Sequence, residues 1–195
     1  MKNFATAAIA LLAISLSQPA SADSAIAQGP GGKWYQRIDT TLNWTQARDA
    51  AAARSLFGVV GHLATPLTEA EANAANSVRS GSCWIGGNDL AVEGNWVWVT
   101  GELFWVGGAG GSAQDGLYEN WNGGEPNDQG GEDALEWTGG GFGGWNDLNV
   151  TSTRSCYLVQ FDVGPRPVPL SPLAAIAAAV GIAGFAARRL MRKSA

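Results

Sequence analysis

The sequence predicts an α+β domain, with two short helices early in the chain, short strands after them, and one long irregular loop region. Three observations carry this. Thr68 followed three residues later by Glu71 is a helix-start pattern, and it opens an Ala-rich run. Short strand-like runs such as Cys83–Gly86 and Asn95–Val99 follow. Residues 107–131 hold many Gly, Asn and Asp and show no period, and such a segment in a compact domain is usually functional or disordered.

In chain order, Lys33 to Arg37 reads as a first strand. Asn43 or Thr45 can cap a helix from about Trp44 to Leu56, rich in Ala, with Arg48 and Asp49 on its polar side. The glycines at 58 and 61 break it. A second helix runs from about Thr68 to Val78. Strands are expected at Cys83–Gly86, Asn95–Val99, Ala134–Trp137 and Cys156–Asp162, and no fixed-period repeat is present.

Both ends differ from this middle. A basic start, an apolar run from Phe4 to Leu16 and Ala20-Ser21-Ala22 read as a signal peptide over residues 1–22, with a second A-x-A at Ala25 to Ala27. The apolar run is short for a membrane span. Residues 164–195 contain Val168-Pro169-Leu170, an apolar stretch from Leu173 to Ala187, and a basic cluster from Arg188 to Lys193. The stretch could span a membrane as a marginal helix with its basic cluster in the cytoplasm. This layout resembles the C-terminal sorting signals of Gram-negative bacteria. That resemblance implies retention in the inner membrane until a sorting protease acts, although Ser171-Pro172 departs from the usual Pro-Ala. A plain anchor is the other reading.

One domain, residues 33–163, remains, and all nine tryptophans lie in it. All 17 acidic residues fall between Asp23 and Asp162, but only six of the 12 basic ones, which leaves this part at −11. Nucleic-acid binding is disfavoured, because phosphate contacts need a basic patch. The only two cysteines, Cys83 and Cys156, favour a disulfide in an exported protein, with two buried thiols as the other reading.

The chemistry concentrates in two clusters. One runs from Trp121 through Glu125, Pro126 and Asn127 to Glu132, and the other is Trp145-Asn146-Asp147. Glu125, Asn127, Glu132, Asn146 and Asp147 offer hard oxygens, the ligand type that Ca²⁺ selects, and Asp147 can add its backbone carbonyl. An Asn amide has an acceptor oxygen and two N–H donors, so it can serve an ion and a sugar hydroxyl together. The lone His62 reads as a packed structural residue. No Cys/His metal spacing, phosphate loop or placed Ser nucleophile is present.

These residues resemble the C-type lectin domain family over about Lys33 to Asp162. The match runs through Trp34-Tyr35, Trp44 to Ala47, Gly61 to Thr65, Cys83 to Gly87 and Glu93 to Trp98. It continues through Glu125-Pro126-Asn127 and Trp145-Asn146-Asp147 and closes on Tyr157 to Phe161. Each piece alone is weak, and their order and spacing are strong.

The resemblance implies a C-type lectin-like fold, with two helices packed on small antiparallel sheets and a long calcium-binding loop region. It implies a cis bond before Pro126, a primary calcium site on the five residues above, and sugars of the mannose, fucose or N-acetylglucosamine type. It also implies an auxiliary calcium site on Asp89, Glu93, Asp128 and Asp133, with Glu132 shared. The family's usual pair of disulfides cannot form here, since Val159 stands where its last cysteine sits. Trp105 is a candidate stacking platform for a sugar ring. The expected partner is a glycan or exopolysaccharide outside the cytoplasm. The rivals are a calcium-stabilised adhesive module without sugar binding and a glycosidase using Glu125 and Glu132. The latter is disfavoured because carboxylates on calcium are held ionised.

Overall fold

The computed structural model describes residues 25–139 and 143–164. The leader expected at 1–22 and the tail expected at 164–195, its first residue excepted, lie outside the described residues. Among the described residues no helix is long and apolar enough to cross a membrane.

The first half contains β1 (Ile26–Gln28), β2 (Lys33–Ile38), β3 (Leu42–Asn43), α1 (Trp44–Ala52), β4 (Ser55–Leu56), β5 (Val59–Val60), β6 (His62–Leu63) and α2 (Glu69–Val78). The second half contains β7 (Cys83–Asn88), β8 (Asn95–Trp98), β9 (Leu103–Val106), β10 (Ser112–Ala113), β11 (Ala134–Trp137), β12 (Trp145–Leu148), β13 (Thr153–Arg154) and β14 (Cys156–Asp162). Ten strands form one sheet with a main path β1-β2-β14-β7-β8-β9-β10; β11 joins β7 and carries β12, and β6 joins β14.

The expected small antiparallel sheets are corrected to one large mixed sheet, flanked by the two-stranded ladders β3–β13 and β4–β5. The cause is the closing strand. β14 runs antiparallel to β2 from Tyr157↔Ile38 to Asp162↔Lys33, which brings the two ends of the domain together. On its other flank it meets β7 in parallel, Cys156 beside Cys83. Those two cysteines form a disulfide across 73 residues of sequence.

The helices begin where local chemistry dictates. Asn43 caps α1, accepting the Gln46 N–H at 2.9 Å while the Gln46 side chain accepts the Asn43 N–H at 3.1 Å. Trp44, Ala47 and Ala51 make its buried face, and the Trp44 indole N–H donates to the Ile85 carbonyl at 2.8 Å. α1 stops at Ala52, short of the expected Leu56. The β4–β5 hairpin claims the residues beyond it, turning on Phe57 and Gly58, both with positive φ (53° and 83°). In α2 the Thr68 hydroxyl accepts the Glu71 N–H at 3.3 Å. Glu71 does not close the box back onto Thr68. Its carboxylate takes the Leu67 N–H at 2.9 Å and pairs with Lys33 at 3.0 Å.

Two apolar clusters make the core. One gathers Trp44, Leu63, Trp84, Tyr157, Val159 and Phe161 near α1. The other holds Trp96, Trp98, Phe104, Leu135, Trp137 and Trp145. Trp98 stacks on Phe104 at 4.2 Å and meets the edge of Trp145 at 5.4 Å. Fully burying one such ring contributes about 3 kcal/mol. Trp145 is the link to function, since its burial fixes the start of β12 and hence the backbone of Asn146 and Asp147.

Candidate metal and ligand site

The irregular segment is tied to β12 rather than left loose. Trp121 bridges Trp145 in parallel. The Asn122 N–H donates to the Trp145 carbonyl at 2.8 Å, and the Trp145 N–H donates to the Asn120 carbonyl at 2.6 Å. Gly144 sits inside this join, where an added Cβ would lie 2.6 Å from Asn122 Oδ1 and 2.7 Å from the Asn120 carbonyl. Past Gly124 (φ 95°) the Glu125–Pro126 bond is cis, as the family pattern implied.

Asp147 lies at the centre of the cluster and is 0% exposed. Its Oδ2 accepts the Asn127 N–H at 2.8 Å and the Asp128 N–H at 2.7 Å, so one oxygen folds the loop around it. Its Oδ1 and Glu125 Oε2 are buried without a hydrogen-bond partner. The Asn127 side-chain oxygen accepts the Gln129 N–H at 2.9 Å, and Glu132 accepts the same N–H at 3.2 Å. The Asn146 amide nitrogen donates to Glu136 Oε1 at 3.2 Å and to the Asp147 backbone carbonyl.

Burial, then the facing Asp147 carboxylate and the charge of Glu132, push Glu125 up to about 7. Burial and Asp147 also push Glu132 up.

A second acidic group stands beside the first. Carboxylate oxygens of Asp89, Glu93 and Asp133 lie within 4.8 Å of one another. Asp89 Oδ2 accepts the Gly94 N–H at 2.9 Å, and its Oδ1 is buried without a partner. Burial raises Asp89 to about 7 against the relief from Gly94, and Glu93 and Asp133 add to the rise. Glu93 is raised by desolvation and by Asp128 and Asp133. Asp128 itself accepts the Glu132 N–H at 2.9 Å, which joins the two groups. A cavity of about 90 Å³ lies between them, lined by Glu93, Trp96, Gly108, Pro126, Asn127 and Asp147 among others.

The residues fit a hard cation. Three buried carboxylate oxygens, one each on Asp89, Glu125 and Asp147, have no donor, and a buried unpaired acceptor is costly. The ion pairs Lys33–Glu71, Arg37–Asp39, Arg48–Asp49, His62–Asp162 and Arg154–Glu136 all lie outside the nine candidate ligands. Oxygen donors without thiol or imidazole suit Ca²⁺.

Two expectations change or gain partners. Trp105 is only 8% exposed and its indole N–H donates to the carbonyls of Gly107 and Gly108, so it packs a turn and offers no sugar platform. His62 is structural, with Nδ1 2.7 Å from the Leu63 carbonyl and Nε2 3.0 Å from Asp162. Sequence reasoning overlooked Glu136 and Arg154 behind Asn146. The available signal was a carboxylate inside the otherwise apolar run Ala134–Trp137.

Residues 40–157 match the family model described as the lectin C-type domain. Halomucin of Haloquadratum walsbyi is 38% identical over 135 residues, 67% of this chain but 1% of that protein. The C-type lectin domain family 4 member M of Nomascus concolor is 39% identical over 75 residues, 37% of this chain and 16% of that one. The chain thus spans a small part of either relative. Among solved structures, the cow C-type carbohydrate-recognition domain of CD23, determined in the presence of a GlcNAc2Man3 oligosaccharide, is 28% identical with a TM-score of 0.52. It covers 66% of this chain and 86% of that one. The calcium-independent type II antifreeze protein is 20% identical with a TM-score of 0.54, covering 70% and 95%, and shows the fold alone. The family match covers most of the described domain, includes both acidic groups, and marks a non-enzymatic binding module. This chain belongs to the C-type lectin domain family.

Proposed function

We propose that the domain binds sugar hydroxyls reversibly through a calcium ion held by Glu125, Asn127, Glu132, Asn146 and Asp147. The observation that carries this reading is the pair of buried, partnerless carboxylate oxygens on Glu125 and Asp147. A bound calcium would supply the missing positive charge and open coordination for hydroxyl oxygens. The chain's own residues do the rest. Asp147 holds the loop through Oδ2, Glu125 and Glu132 accept hydrogen bonds from the sugar hydroxyls, and the Asn127 amide donates. Asp89, Glu93 and Asp133, with Asp128 and the shared Glu132, hold an auxiliary calcium that offsets the second acidic group. The family resemblance of Glu125-Pro126-Asn127 supports a preference for mannose-, fucose- or N-acetylglucosamine-type sugars.

A disulfide-bonded lectin domain fits an exported protein. In this reading residues 1–22 direct export, 33–163 bind glycan or exopolysaccharide, and 164–195 hold the chain in the inner membrane until a sorting protease acts. One ion gives weak monosaccharide affinity, and display of many copies raises avidity.

A second reading keeps the calcium and drops the sugar, giving an adhesive module. It is favoured by the Asn146 amide nitrogen, whose two donations stay within the protein. A glycan array probed with the full chain, in calcium and in EDTA, separates the two. Calcium-dependent retention, displaced by free mannose but not by galactose, is expected. Retention of no glycan, by a chain that calcium still stabilises, would leave the adhesive reading.

A further inference from the structure

We propose that Glu136 is a positioning residue for Asn146. Paired with Arg154, it captures one amide hydrogen, so that the amide oxygen is the atom Asn146 offers to a cation. This rests on the reading of the Glu125–Asp147 cluster as a calcium site.

Glu136 is 4% exposed on β11, and the register of β11 with β12 sets it directly opposite Asn146. Its two oxygens have separate tasks: Oε2 accepts from Arg154 Nε, and Oε1 accepts from Asn146 Nδ2 at 3.2 Å. Arg154 is itself fixed. Its guanidinium lies over the Trp84 ring at 5.6 Å, and Nη1 donates to the Thr153 carbonyl at 2.9 Å. Trp84 is the β7 partner of Glu136 on the opposite flank and donates to the Leu42 carbonyl at 2.9 Å. Sheet register and an aromatic plane therefore hold the carboxylate on both sides.

An ionised carboxylate is acceptor-only. Facing Glu136, the amide must present nitrogen, because the opposite flip would set two acceptors against each other. The second amide hydrogen goes to the Asp147 backbone carbonyl. Both hydrogens are then in use, and the oxygen on the other arm of the amide is what remains. A sugar acceptor would draw its amide hydrogen from Asn127 instead. Partners that orient a metal-binding side chain affect affinity about 10–100-fold when changed.

The test uses the full chain and two readouts. The side-chain amide protons of Asn146, assigned by their loss in Asn146→Asp, are followed by NMR in EDTA, and calcium affinity is measured by calorimetry. Glu136→Gln keeps the shape, but Arg154 draws its one oxygen and the NH₂ is left facing Asn146. The Asn146 amide protons should shift and exchange faster, and calcium should bind about tenfold or more weakly. Glu136→Leu/Arg154→Met removes both charges and leaves none unpaired; it should show the same weakening even if the single variant folds poorly. Unchanged Asn146 resonances in Glu136→Gln would overturn the proposal. So would moved resonances with unchanged affinity. If the wild type binds no calcium, the proposed function fails and the cation role of Glu136 fails with it. That case is recognised by wild-type calorimetry that shows no calcium binding, whereas a wild type that binds calcium with an affinity unchanged in Glu136→Gln overturns the positioning role alone.

Discussion

The α1 side of the domain and the loop side meet their needs in opposite ways. Around Trp84, Tyr157 and Phe161 the strands are paired, the Trp44 and Trp84 indoles find carbonyls, and the Arg154–Glu136 charges face each other. Around Asp147 the chain gathers acidic and amide groups, ties them down with backbone N–H groups, and leaves carboxylate oxygens without donors. The first region is complete with protein atoms alone. The second carries an excess of buried negative charge that only something outside the chain can offset. Rigidity on one side makes that excess tolerable on the other, because Trp145 and the Trp121 bridge hold the loop to the sheet.

If this contrast is right, damage to the complete region should cost stability whether or not calcium is present. The largest effect expected is from Trp44→Ala, which removes a buried ring of that region whose indole N–H donates to the Ile85 carbonyl at 2.8 Å. It should lose about 3–5 kcal/mol in urea unfolding, equally in calcium and in EDTA. Next comes Cys83→Ser/Cys156→Ser, which frees a link spanning 73 residues. Chain entropy puts that loss at about 4 kcal/mol, again with no dependence on calcium.

The join between the regions should behave differently from either. Gly144→Ala pushes a methyl against Asn122 Oδ1 and the Asn120 carbonyl. It should cost about 1–3 kcal/mol in EDTA and more in calcium, because the loop that presents Glu125 shifts. An equal loss in both conditions would separate the loop from the ion site.

The smallest effect is the pH dependence of the apo domain. Glu125 and Asp89 are each held up at about 7, with burial the largest cause. Both stand above their unfolded range of about 4. Between those values the folded chain binds more protons than the unfolded one, so these groups remove stability as pH rises through that window. Melting in EDTA should therefore fall from about pH 5 to about pH 7.5, and Glu125→Gln should flatten part of the slope. Saturating calcium, which holds the carboxylates ionised, should reverse it. A wild-type slope in EDTA that Glu125→Gln leaves unchanged would remove Glu125 from this account.

Local chemistry made much of this readable in advance. Thr68 and Asn43 mark the helix starts, and the strands at 134–137 and 156–162 fall where expected. Where long-range pairing decides, the sequence is silent. Nothing near Ser55 says that the chain leaves its helix for a hairpin, and nothing near Cys156 says that β14 lies parallel to β7. β12 was legible as a motif but not as a strand, since Asn146 and Asp147 interrupt its apolar period. The candidate ligands were readable as residue types in two clusters, of which Asn127, Asp128 and Asp147 line one cavity together with Glu93. Glu136 stood out only as a carboxylate in an apolar run, and its role was not readable, because its partners Arg154 and Asn146 arrive only through sheet register.

The central claim is that the Glu125–Asp147 cluster is built for an ion, and thermal unfolding of the full chain in calcium and in EDTA tests it most directly. Ligand at about a hundred times its Kd adds about 2.7 kcal/mol, so calcium should raise the wild-type Tm by roughly 10 °C. Glu125→Gln/Asn127→Asp should lose most of that rise while melting in EDTA close to the wild type. A wild type that melts identically in calcium and in EDTA would contradict the account, and would make the Glu125-Pro126-Asn127 loop a turn and nothing more.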